Sequence, residues 1–321
     1  MQVPPISKQE TTSYVTSMKT NKAADIYGVT AEHLKNAATD IIDVLSATSN
    51  AIIAKGEIPE SLKYGRVCPV PKKAKCARNP NNYRRITITS IIGKIVEKHV
   101  LKYTKSIMDP KQSRLQFGFT PHCSPVFAAL ALTEVLAEAE DNHSTIHIAF
   151  MDTSKAFDVV DHHSLLNALH EQGINGNLWN FYDSLYEGIK SVVHWKGNVS
   201  ESFNEQQGIR QGGVTSADLY KSGKNNLLSI LDSNPSNKIG HINTGALMVA
   251  DDLAITADNN LDLQYGIAIA EHDSSRQRYS FNVDKTKSVT HNAPRPECML
   301  NGKPIGVSYK DWTPWPKRSR P

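Results

Sequence analysis

Two apolar runs that end in acid constrain this chain more than any other feature. TIHIAFM at 145–151 is followed at once by Asp152, and Asp251 and Asp252 stand between ALMVA (246–250) and LAIT (253–256). Short apolar runs bounded by turn chemistry predict strands, and two such runs separated only by acids predict a tight hairpin. Acids at strand ends are held by rigid backbone. Carboxylates brought close together repel and shift one another's pKa, a conflict that a divalent cation removes. The pattern alone leaves alternatives open. Asp-Asp in a turn is ordinary turn chemistry. An apolar run closing in acids also suits a P-loop nucleotidase, but that requires GxxxxGK[ST], which the sequence lacks.

The remaining periodicity predicts an α+β fold, with hairpin strands and helices packed on one sheet. Ser7 and Glu10 form a capping-box pattern ahead of a short helix. A helix is expected over Ala31 to Ala54, stopped by Gly56 and Pro59, then a strand over 64–70 and a turn over Asn79 to Asn82. Ile92, Ile95, Val96, His99, Val100 and Tyr103 share one face of a helix over Ile91 to Ile107, with lysines opposite. Further helices are expected at 124–140, 163–172, 177–188, 217–232 and 261–278, and SVVHW and VSESF flank a turn at Lys196-Gly197-Asn198. At 321 residues the chain has room for one large domain or two modest ones.

Charge is unevenly placed. Residues 61–105 hold twelve Lys and Arg against one acid, Glu97, a surplus of eleven in a chain whose net charge is +4. A basic block beside an acidic body suits a polyanion held near metal-binding carboxylates, although a solvated basic surface gives the same count. Cys68, Cys76, Cys123 and Cys298 form no CxxC pair, which argues against a zinc knuckle or a disulfide scaffold. The opening MQVPPISKQE lacks the order of a secretory leader, and no run is long enough to span a bilayer. The expectation is an intracellular protein of nucleus or cytoplasm, neither secreted nor membrane-bound.

Several segments, taken in order, resemble the reverse transcriptases of LINE-type (non-LTR) retrotransposons. FMDTSKAFD resembles the first palm motif, GIRQGGVTS (208–216) the second, VADD the third and NVDKTKSV the fourth. KAADIYGVTAEHL (22–34), VPKKAKCARNPNNYRRITITSIIGKIVEK, QFGF (116–119) and CSPVFAALALTE resemble the entry and finger motifs. Three positions depart from the pattern: Val249, Arg85 and Ala217 stand where an aromatic, a Pro or Gly, and a Pro are common. None of them removes an acid.

The resemblance implies a right-hand polymerase, with an N-terminal helical extension of the fingers over 1–60, fingers over 61–144 and palm over 145–306, with insertions belonging to the fingers allowed within the palm range. It implies that Asp152, Asp251 and Asp252 bind two Mg2+ ions, with Mn2+ as a substitute, and that Lys285, with Lys287 as the alternative, is the general acid for pyrophosphate release. Phe157 would gate the sugar, Lys72 or Lys73 with Arg84 would hold the incoming triphosphate, and Gln211 and Gly212 would sit beside the nascent pair. Asp158 is shared by the group without a settled role. The implied partners are an RNA template, a DNA primer and dNTP, without a membrane. Residues 307–321 read as a divergent tail, for which an out-of-frame translation is one explanation, and a thumb is expected to be absent. The expected reaction is RNA-templated DNA synthesis. The alternatives are a catalytically inactive relic, a binding module that keeps only the basic fingers, and a group II intron maturase, which requires a maturase domain not seen in the sequence.

Overall fold

A computed structural model describes residues 3–233, 238–239, 242–294 and 297–307. By packing, the chain divides into two units that interleave in sequence. The first joins the segment up to Lys111 with Val160–Ser222, and the second joins Gln112–Val159 with the segment from Gly223 onward. Val160–Ser222 thus packs with the N-terminal segment although it lies within 145–306. The strands explain it: Tyr64–Pro71 pairs in parallel with Lys190–Trp195, and a parallel pair needs a long crossover rather than a turn. The tail from 308 lies outside the described residues.

In the first unit the sheet runs Tyr83–Ile88, Tyr64–Pro71, Lys190–Trp195, Asn198–Val199, with Phe203–Asn204 also on Lys190–Trp195. The hairpin expected at Lys196-Gly197 is present, with both residues at positive φ as a two-residue turn between right-twisted strands demands. Helix Lys8–Thr16 begins with the Ser7–Glu10 capping box. The helix expected over Ala31 to Ala54 is instead two helices, Ala31–Lys35 and Asp40–Lys55. Residues 35–40 are all exposed, so no packing carries a helix through Asn36–Thr39, and the second helix restarts with Asp40 in its first turn. Gly56 ends it in the left-handed conformation. These helices and Ile91–Met108 bury Ile6, Val15, Leu34, Leu45, Ile91 and Ile95 together.

In the second unit the sheet order is Gly306–Val307, Lys287–His291, Ile146–Asp152, Asp252–Ala257, Ala246–Val249. Both faces are covered. Ile146, Ile148, Leu247 and Ala254 pack with Leu132, Val135 and Ala139 of helix Pro125–Asp141. Ala149, Met151, Leu253 and Ile255 pack on the other face with Leu263, Ile267 and Ala270 of helix Asn260–Arg276. Burial on both faces is why these strands read as unbroken apolar runs rather than alternating ones.

Candidate active site

The Ile146–Asp152 and Asp252–Ala257 strands are antiparallel, and their register sets Asp152 directly opposite Asp252. Directly opposed residues send their side chains to the same face. Counting by twos from Ile148 and Ala254 puts both carboxylates on the face covered by helix Pro125–Asp141, where the apolar file gives way to acid. The hairpin turn proper is Ala250-Asp251, so Asp251 belongs to the turn and Asp252 begins the strand. The acid paired in register with Asp152 is therefore Asp252, with Asp251 in the adjoining turn. Among the described residues no three His, Cys, Asp or Glu converge to hold a metal ion.

A cation already lies at this pair. Lys285 Nζ donates to Asp152 Oδ2 at 2.8 Å. Lys287, the alternative in the sequence, turns away and donates to the Asp284 carbonyl at 2.7 Å. The loop carrying Lys285 is tied to the acid strand by Asn282 N–H, which donates to the Asp152 carbonyl at 2.8 Å. Phe157 meets Phe119 edge-on, with ring centroids 5.7 Å apart.

The acid turn is fixed by residues that the local sequence did not single out as functional. Gln116 brackets Ala250: its Oε1 accepts from Ala250 N at 2.9 Å and its Nε2 donates to Ala250 O at 3.1 Å. Its side chain also accepts from Gly118 N. Gly118 lies so near Ala250 that a Cβ would stand 2.0 Å from the Ala250 nitrogen, so only glycine fits there. Thr153 Oγ1 donates to the Asp251 carbonyl at 3.0 Å. Lys224, on helix Ser216–Ser233, is buried with Nζ 3.2 Å from the Tyr279 ring centroid. Burial pushes its pKa down to about 7, against the opposing charges of Asp273 and Asp251. QFGF offered a motif signal for Gln116 and Gly118. For Lys224 no signal existed, because only the fold buries it.

Asp158 falls in the second unit, and the residues expected at the triphosphate and the nascent pair lie in the first. Lys72, Lys73 and Arg84 are exposed on the basic loop and the strand that follows it. Lys72 Nζ donates to the Asn81 carbonyl at 3.2 Å, and its N–H to the Asn82 carbonyl. Gln211 adds to the edge of Tyr83–Ile88: Thr87 N–H donates to the Gln211 carbonyl at 2.8 Å. Gly212 has φ +126, and a Cβ there would stand 2.5 Å from the Thr87 oxygen. Gly212 thus lies close against the backbone of Thr87 in the same unit. Arg210 is nearly buried and donates to the carbonyls of Lys63 and Lys190 at 2.6 and 2.7 Å, and to Glu205.

Residues 70–309 match the family model "Reverse transcriptase (RNA-dependent DNA polymerase)". The chain is similar to a Pol polyprotein from the type-2 retrotransposable element R2DM of Drosophila melanogaster, 27% identical over 78% of this chain and 24% of that one. It is also similar to the probable RNA-directed DNA polymerase from transposon X-element of the same organism, 26% identical over 68% of this chain and 24% of that one. The RNA-directed DNA polymerase from mobile element jockey of Drosophila funebris is 23% identical over 95% of this chain and 34% of its own length. The chain thus spans a quarter to a third of these relatives. Among solved structures, apo telomerase from Candida tropicalis truncated from its C-terminal domain has a TM-score of 0.52 at 14% identity, over 82% of this chain and 57% of that one, a likeness of fold. With three quarters of its length matched to one family model and its motifs carried on a fingers-and-palm α+β fold, the chain belongs to the reverse transcriptases, on the branch of LINE-type (non-LTR) retrotransposons.

Proposed function

We propose that this chain carries RNA-templated DNA synthesis, in which a primer 3′-OH attacks the α-phosphate of a dNTP and pyrophosphate leaves. The observation that carries the reading is the Asp152–Asp252 pair, set in register on one sheet face with the Lys285 ammonium at 2.8 Å from Asp152. The donor set fits a hard divalent cation: Mg2+ in nucleotidyl-transfer sites is bound by one or two carboxylates together with substrate phosphates. Asp152 and Asp252, with Asp251 in the adjoining turn, would hold it, and the ammonium on Asp152 stands where positive charge belongs. Bound there, Mg2+ supplies an acidified attacking hydroxyl and a stabilised leaving oxygen.

The chain's own residues do the rest. Gln116, Gly118 and Thr153 fix the turn that presents the acids. Lys285 stands beside Asp152 as the donor of a proton to the leaving pyrophosphate. Lys72, Lys73 and Arg84 offer the triphosphate exposed cations, Lys as point charges and Arg as a fork. Phe157 limits the space for a ribose 2′-OH. Gln211 and Gly212 line the nascent pair, with the RNA template and DNA primer as the macromolecular partners.

The test is Mg2+-dependent extension of an oligo(dT) primer on poly(rA) by the full chain. Asp152→Asn and Asp252→Asn are expected to lower kcat by at least about a thousandfold, as loss of electrostatic stabilisation at the reacting centre does, while leaving primer–template binding in place. Lys285→Ala is expected to lower kcat by about a hundredfold, the range of a general acid. Binding without extension in the wild type would favour the relic that only holds nucleic acid.

A further inference from the structure

The single acid of the basic segment does not lie at the surface. Glu97, on helix Ile91–Met108, is 6% exposed. Its Oε2 accepts the backbone N–H of Val214 at 3.1 Å and of Thr215 at 3.4 Å, and the Thr215 hydroxyl at 3.3 Å. The Thr215 carbonyl accepts Leu219 N–H at 3.0 Å, which makes Thr215 the first capping residue of helix Ser216–Ser233. Glu97 is therefore a helix cap supplied by a different element. It sits where the unpaired N–H groups and the helix dipole both favour negative charge. Burial pushes its pKa up, while the Thr215 and Val214 N–H groups and the Arg210 charge pull it down. A carboxylate in such a place is costly without donors and well held with them.

The turn between Arg210 and this cap contains Gln211 and Gly212. Its upstream side is anchored by Arg210, through the carbonyls of Lys63 and Lys190. Its middle lies against Thr87, by the Thr87 N–H to Gln211 carbonyl bond and by the Gly212 backbone. Gly213 N–H closes onto the Arg210 carbonyl at 3.0 Å. Downstream, the side-chain hold on Val214 and Thr215 is Glu97.

We infer that Glu97 is a positioning residue that holds the 211–215 turn in the arrangement by which Gln211 and Gly212 meet the incoming nucleotide. The inference rests on the polymerase reading above. It places the effect of Glu97 on nucleotide binding rather than on the chemical step, because the acids and Lys285 belong to other segments. Glutamine keeps an acceptor oxygen at the same reach and should keep the turn; alanine leaves the buried Thr215 N–H and the half-buried Val214 N–H without this partner.

The experiment uses the full chain with poly(rA), oligo(dT) and dTTP, and reads amide hydrogen exchange of the 208–216 peptide alongside steady-state kinetics. In Glu97→Ala the exchange of that peptide is expected to quicken, with KM for dTTP about tenfold higher, the effect of losing one charge-assisted hydrogen bond, and kcat within about twofold. Glu97→Gln is expected to lie close to wild type in both. Unchanged protection of 208–216 in Glu97→Ala overturns the inference whatever the activity, and so does a fall in kcat at constant KM. Should Glu97→Ala not fold, Glu97→Asp decides: it keeps the charge but draws the carboxylate back by one methylene from the Val214 and Thr215 N–H groups, and unchanged protection of 208–216 with an unchanged KM overturns the inference. A wild type that incorporates no dTTP, combined with quickened exchange in Glu97→Ala, faults the polymerase reading and supports the carboxylate's hold on the turn.

Discussion

Residues that announce themselves in the sequence are those whose neighbours in the chain explain them. Asp152, Asp251 and Asp252 were visible because acid at the end of an apolar run is a local anomaly. Gln116 and Glu97 were not, because their partners lie 134 and 118 residues away and nothing near them in the text sets them apart beyond a motif match and a lone negative charge. Gly212 falls between: its place after RQ was legible, its reason was not. With φ +126 and a would-be Cβ 2.5 Å from the Thr87 carbonyl, Gly212→Ala meets both forbidden backbone and buried neighbour. Such backbone costs on the order of 1–3 kcal/mol for a side chain, before any clash. Gly197→Ala is the control: its φ of +84 is also left-handed, but nothing lies within 4 Å, so the loss should stay near 1 kcal/mol. Urea unfolding of the two variants is expected to rank Gly212→Ala as the less stable by at least about 1 kcal/mol; equal midpoints would mean the turn relaxes away from Thr87.

At the scale of elements, turns and caps carried most of the legible information. The Ser7–Glu10 box, the Lys196-Gly197 turn and the Gly56 stop all stand where turn chemistry put them. The break at Asn36–Thr39 was missed because alanines continue a helical pattern that only the absence of packing interrupts. The N-terminal cap also carries a pH signature. Glu10 accepts Ser7 N–H at 3.0 Å and pairs with Lys102 at 2.9 Å; the Ser7 N–H first and Lys102 next hold its carboxyl well below the usual range, at about 2. A group whose folded pKa is depressed stabilises fully above its unfolded value and loses that contribution as pH falls through the folded one. Glu10→Gln is therefore expected to cost about 1 kcal/mol at neutral pH, the value of a cap and an exposed ion pair. In urea titrations the gap from wild type should narrow steadily between pH 4.5 and about 2. A gap that stays constant over that range would show that charge contributes nothing to the cap.

For the molecule as a whole, the bounds of the interleaved units were illegible, because the parallel pairing of Tyr64–Pro71 with Lys190–Trp195 leaves no mark on either strand alone. What was legible is the partition of charge. The surplus of eleven over residues 61–105 lies in the first unit and the paired acids in the second, so the basic block and the paired carboxylates belong to different parts of the chain. Within the basic segment, Lys72, Lys73, Lys75, Arg78, Arg84 and Arg85 are exposed, and under the proposed function two kinds of phosphate would compete for them: the triphosphate of a nucleotide and the backbone of primer–template. Salt separates the two. Each backbone phosphate neutralised contributes roughly 0.7 to 0.9 to the slope of log affinity against log salt. A triphosphate ligand leaves the slope for the duplex untouched. If Lys72, Lys73 and Arg84 hold the nucleotide, changing all three to Gln raises KM for dNTP by at least about tenfold, since 1.4 kcal/mol from even one lost charge-assisted contact is that factor. The primer–template slope then stays within about 0.5 of wild type, because Lys75, Arg78, Arg85 and the helix lysines supply it. If the slope instead falls by about 2 with KM little changed, the three residues grip the strand, and the triphosphate must be sought among the remaining cations of the segment.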